Sequence, residues 1–127
     1  MQNLLLVAVG GGTGAVLRYL VGVQAVRALG HGWPYGTLAV NALGGVLMGV
    51  LVSWLMLRGG ADQERWRLLI GVGVLGGFTT FSAFSLEVAL MLERRAWAEA
   101  FGYSLVSVGL SVAALFLGLA LMRRVLM

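Results

Sequence analysis

The sequence predicts an all-α membrane protein of four transmembrane helices, and three observations carry that prediction. Of 127 residues, 60% are hydrophobic and 11% are charged, whereas soluble domains run at about 45–50% and about 25%. The apolar residues gather in four stretches, about 4–28, 36–57, 68–92 and 98–122, each near the roughly 20 residues that cross a hydrocarbon core as helix. The boundaries carry Arg, Trp or Tyr, the residues of a headgroup interface. The four stretches use nearly the whole chain, so a single four-span domain over 1–127 is expected, without an internal repeat. The first stretch lacks a basic leader region and reads as a retained span.

The connections are short. Leu29 to Tyr35 is a Gly/Pro turn with Trp33 and Tyr35 in it. Arg58 to Arg67 holds Gly59, Gly60, Asp62 and Glu64, and Glu93 to Trp97 holds Arg94 and Arg95. The net charge is +4 and all nine basic residues are Arg. They sit singly or in pairs between apolar runs, which suits membrane anchoring and leaves no nucleic-acid patch. Cysteine is absent and His31 is the lone histidine, so a disulfide, a thiolate metal site and a Cys nucleophile are excluded.

Four spans put both termini and the 58–67 loop on one side of the membrane. That side carries Arg58, Arg65, Arg67, Arg123 and Arg124; the other carries Arg27, Arg94 and Arg95, with Arg18 if it reaches there. So small a difference biases orientation weakly. A chain that inserts both ways up permits an antiparallel, dual-topology homodimer, the two-chain analogue of an inverted repeat.

Polar residues inside lipid are costly and face protein or water. In the first span, Gly10 and Gly14 form a G-x-x-x-G packing face. The surrounding glycines lack the G-x-G-x-x-G spacing and the preceding strand of a nucleotide loop. Arg18 either snorkels to the interface or lines an aqueous, anion-attracting cavity. In the second span, Thr37 and Asn41 share one face with Gly45 and Gly49. Asn41 either bonds a neighbouring helix or faces a polar path.

The third span is the most informative. Gly76-Gly77 followed by Thr79-Thr80 are weak helix formers near its middle. They predict a helix break at mid-membrane, against the alternative of a continuous glycine-rich helix. Backbone groups freed by a break need a protein, water or ion partner. Phe81 and Phe84 share a face among Ser82, Ser85, Thr79 and Thr80. Such a pair is ordinarily core or lipid-facing, yet its positive edges beside hydroxyls suit an anion. Glu87 is the one acid deep in a span, free to snorkel or to pair with Arg18. In the fourth span, Tyr103, Ser107 and Ser111 make a hydroxyl stripe, for interhelical bonding or for a polar track.

The combination resembles the Fluc (CrcB) family of bacterial fluoride channels. The resemblance rests on Gly11-Gly12-Thr13-Gly14-Ala15 with Arg18-Tyr19, then Gly36-Thr37-Leu38 with Val40-Asn41, then Gly76 through Ser85 with Glu87. Ala83 departs from the Thr frequent in that family. The resemblance implies a dual-topology homodimer in the bacterial inner membrane, with two antiparallel pores that conduct fluoride passively and confer fluoride resistance. It implies that Asn41 is a pore amide donor and that Phe81 and Phe84 form aromatic boxes around the anion. It places Tyr103, Ser107 and Ser111 along a polar track, with Ser82 and Thr80 beside the pore and Arg18 in the vestibule. It further implies a central structural sodium ion held by main-chain carbonyls of Gly76 and Thr79 from both subunits.

Fluoride is small and strongly hydrated, so donors along a narrow track must replace its water without trapping it. Hydrogen fluoride enters cells neutral and ionises inside, so an electrically driven leak expels the anion without an energy source. A proton-coupled four-span drug transporter is a competing reading, but it needs an acid in the first spans, which have none. A glycine-packed structural subunit leaves Asn41, Phe81 and Phe84 unexplained. An enzyme is not expected, since no nucleophile–base pair or metal cluster is visible.

Overall fold

A computed structural model describes all of residues 1–127. Four helical segments are long and apolar enough to cross a membrane, which makes this a multi-pass membrane protein. The first two are α1 (Gln2–Leu29) and α2 (Tyr35–Arg58). The third is composite: a 3₁₀ turn (Gly60–Asp62), α3 (Gln63–Trp66), a π-helical stretch (Arg67–Leu75), α4 (Gly76–Phe78) and α5 (Phe81–Glu93). The fourth is α6 (Trp97–Leu126). The region expected as a connection at 58–67 is thus itself largely helical.

The ends follow local chemistry. Gly30 stops α1 with φ 81°, a conformation that glycine adopts without a Cβ clash, and its N–H returns to Val26 O at 2.8 Å. Pro34 precedes α2, where its fixed φ suits a helix start.

Two helix pairs build the subunit. α2 packs along α6, and α1 packs on the π-helical stretch and α4. Glycine permits both approaches. A Cβ on Gly14 would overlap Val74 O and come within 2.8 Å of Phe78 N, and one on Gly49 would overlap Leu115 O on α6. The G-x-x-x-G face of the first span therefore meets the backbone of the third segment rather than a second copy of itself.

The helical path of the third segment is interrupted at two residues. Thr79 (φ −85°, ψ 158°) and Thr80 (φ −152°, ψ 122°) are extended. Just before them, the π-helical stretch widens the turn, a feature the sequence did not announce. Only 17 of 127 residues are buried. The apolar side chains therefore face outward in the main, as a lipid solvent permits and water does not.

Candidate functional site

The break leaves backbone groups that need partners, and two side chains supply them. Asn41 of α2 pairs with Thr80 as a strand neighbour would: Thr80 N–H donates to Asn41 Oδ1 at 2.8 Å, and Asn41 Nδ2 donates to Thr80 O at 3.0 Å. Arg18 of α1 donates from Nε to Gly77 O at 3.0 Å. Thr79 caps the other side of the gap, giving both its N–H and its hydroxyl to Leu75 O, at 3.0 and 2.9 Å.

Thr80 also starts the next helix. Its Oγ1 accepts from Ala83 N–H at 3.1 Å, an N-cap bond. The Ser82 hydroxyl lies 3.3 Å from the same oxygen. The N-terminus of α5, with its partial positive charge, thus opens directly beside Asn41.

Two cavities meet at Thr80. The inner one, about 470 Å³, gathers Asn41, Thr80, Phe81, Phe84, Ser107 and Ser111, six of the residues expected in the pore. The outer one, about 780 Å³, is lined by Arg18, Tyr19, Arg27, Thr37 and Thr80. Asn41, Phe84 and the Ser107–Ser111 stripe come from three different segments, so the assembly is a product of the fold and not of local sequence.

The aromatic rings continue the inner cavity. Phe81 and Phe84 have centroids 5.6 Å apart, and Phe84 and Tyr103 5.2 Å apart. Phe81 is 77% exposed in the single chain, which leaves most of its ring to a partner or to lipid. Tyr103 is buried, and its hydroxyl donates to Glu87 Oε1 at 3.4 Å. Ser107, one of the residues lining the inner cavity, has a buried Oγ that makes no hydrogen bond. Gly76, Ser82, Arg18 and Tyr103 do not line the inner cavity; Ser82 and Tyr103 touch residues that do, Gly76 sits one turn before the break, and Arg18 lies in the outer cavity.

Glu87 has Tyr103 as its partner, not Arg18, because Arg18 is engaged at Gly77. A bond from Asn41 to a neighbouring segment is one of the two readings its sequence offered, but nothing local singled out Thr80 as its partner or Gly77 as that of Arg18. Partners far apart in sequence leave no trace in local periodicity; the available signals were the single amide of the second span and an arginine inside the first.

The carbonyls bear on cation binding. The N–H that a continuous helix would give to Gly76 O belongs to Thr80 and goes to Asn41 instead. No donor of this chain reaches Thr79 O. No group of three or more His, Cys, Asp or Glu side chains gathers anywhere. The oxygen donors at the break are neutral and hard, a set that fits a hard cation and not a soft one.

Polar residues within spans commonly mark an ion or substrate path, and this four-span bundle has a polar groove at its helix break. The comparisons agree: the sequence profile described as CrcB-like protein, Camphor Resistance (CrcB), matches residues 5–119, and the chain belongs to that family. It is 71% identical over 125 residues to a protein named fluoride-specific ion channel FluC from Phenylobacterium zucineum, covering 98% of each chain. It is 66% identical over 125 residues to one of the same name from Caulobacter sp., again over 98% of each, and 50% identical over 123 residues to one from Mesorhizobium japonicum, over 97% of this chain and 98% of that one.

Proposed function

We propose that two antiparallel copies of this chain form a fluoride channel in the bacterial inner membrane, with two pores, passive conduction driven by the membrane potential, and a structural sodium ion at the centre. The observation that carries the reading is the inner cavity. An amide, two serine hydroxyls and two phenylalanine rings from three segments converge there, in a chain whose relatives are named fluoride-specific channels.

In this reading fluoride enters past Arg18 and reaches the junction at Thr80. Asn41 has two amide N–H groups and spends one on Thr80 O, so the other is free for the ion. Ser107, which has no protein partner, and Ser111 offer hydroxyls in sequence, and Phe81 and Phe84 offer ring edges. The helix break lies at mid-membrane, and the positive end of α5 favours the anion there. Tyr103 closes the track at its Glu87 end. Neutral donors replace hydration without a fixed cation that would hold the ion, as rapid conduction requires.

The central sodium would be held by Gly76 O and Thr79 O of each copy. It would supply positive charge against the carbonyls of the break and lock the two copies together. One chain offers too few oxygens for a hard cation, which supports a site shared across the two-fold axis. The exposed ring of Phe81 supports the same pairing.

The test is efflux from liposomes loaded with potassium fluoride, started by valinomycin and followed with a fluoride electrode, beside chloride-loaded liposomes. Fast fluoride release without chloride release is expected. No release from folded, dimeric protein would overturn the channel reading and turn attention to Glu87 and proton coupling.

A further inference from the structure

We propose that the two arginines of the outer cavity have separate tasks: Arg18 is a positioning residue that pins Gly77 beside the break, and Arg27 is the charge that draws the anion in. The inference rests on the fluoride-channel reading for its second half only.

Arg18 is half-buried, and its Nε bond to Gly77 O stands where a helical N–H would. In a continuous helix Phe81 N–H would reach that carbonyl; the extended Thr79 and Thr80 remove it. Gly11, seven positions before Arg18 and so on the same face of α1, holds the other side of Gly77: a Cβ there would lie 3.1 Å from Gly11 Cα. One face of α1 therefore fixes Gly77 at two points. The planar guanidinium supplies a directed Nε–H that an ammonium lacks.

Arg27 lines the same cavity from the last turn of α1, exposed, with no hydrogen bond or acid partner. The ion pairs of the chain are Glu64–Arg67 and Arg94–Glu99, both elsewhere. No Asp or Glu lines the outer cavity, and Glu87, which lines an adjoining cavity, accepts from Tyr103. Arg27 stands nine positions beyond Arg18, about 14 Å along the helix. At about 10 mM salt the screening length is about 30 Å, so its field spans the cavity; at about 0.3 M it does not.

The experiment uses the full-length protein in fluoride-loaded liposomes at about 10 mM and about 0.3 M ionic strength. Arg27→Gln is expected to lower initial efflux about two- to sevenfold at low salt, the range for one charge at that distance between water-like and surface-like dielectric, and to match wild type at high salt. Arg27→Lys keeps the wild-type rate. Arg18→Lys retains the charge yet loses flux at both salts, and hydrogen–deuterium exchange of residues 79–83 rises while the protein elutes unchanged in assembled form. Arg27→Gln does not alter that exchange. Equal flux for Arg27→Gln and wild type at low salt overturns the steering role. Wild-type flux and exchange in Arg18→Lys overturn the positioning role. A wild-type protein that releases no fluoride overturns the channel reading and the Arg27 half with it, while the exchange measurement still decides Arg18.

Discussion

Replacing Asn41 by Asp separates the two jobs of its amide. The carboxylate keeps an acceptor for Thr80 N–H but loses the Nδ2 donor to Thr80 O. Leaving Thr80 O without its donor costs about 1–3 kcal/mol where water does not reach it, so the chain should lose stability yet still fold. A charge in the anion path is a larger matter. At about 4 Å and an effective dielectric of about 20, two like unit charges repel by about 4 kcal/mol. At 1.4 kcal/mol per tenfold, fluoride occupancy beside residue 41 falls about a thousandfold. Asn41→Ala does the reverse: it adds no charge but strands both Thr80 groups, at about 1–3 kcal/mol each where water does not reach them. Valinomycin-driven fluoride efflux and thermal unfolding of the same samples give the two readouts. Asp should silence flux by its charge, and Ala should lose stability while leaving the ion path uncharged. An Asp variant that conducts within threefold of wild type would remove residue 41 from the ion path.

Phe81→Ile should impair or abolish fluoride flux while the dimer still elutes intact; unchanged flux would take that ring out of the pore. Ser107→Ala should leave stability unchanged or raise it, because the buried hydroxyl has no partner, yet lower flux, a combination that a purely structural serine cannot give. Gly14→Ala should destabilise the subunit by about 1–3 kcal/mol or more through its clash with Val74, whereas Gly12→Ala, which meets nothing within 4 Å, should leave thermal unfolding where it was. Dilution into sodium-free buffer should slowly weaken the dimer or its flux, and a protein indifferent to sodium in both assays would have no need of the central cation.

Composition and span length made the four segments legible, because the bilayer sets both and neither depends on tertiary contacts. The interruption at Thr79 and Thr80 was also legible, from weak helix formers placed side by side. What receives the freed backbone groups was not. Asn41 is 39 positions from Thr80 and Arg18 is 59 from Gly77, and no periodicity links such pairs. The π-helical stretch was hidden for another reason: Arg67–Leu75 reads as an ordinary apolar helix, and widening a turn changes no residue. The serine stripe was visible as spacing, but the turn of Tyr103 towards Glu87 depends on how α5 lies against α6.

The bond between Asn41 and position 80 recognises main chain on one side and side chain on the other. Exchanging Thr80 for any residue but proline leaves both atoms that Asn41 grips in place, so the grip itself tolerates variation there and the stability penalty comes through the lost helix cap. At position 41 the requirement is strict: one donor and one acceptor on a short planar arm, which Asn alone among the natural side chains supplies at this reach. Mutational tolerance along the two partners should therefore be lopsided, with drift permitted where the peptide is held and forbidden where the holding is done.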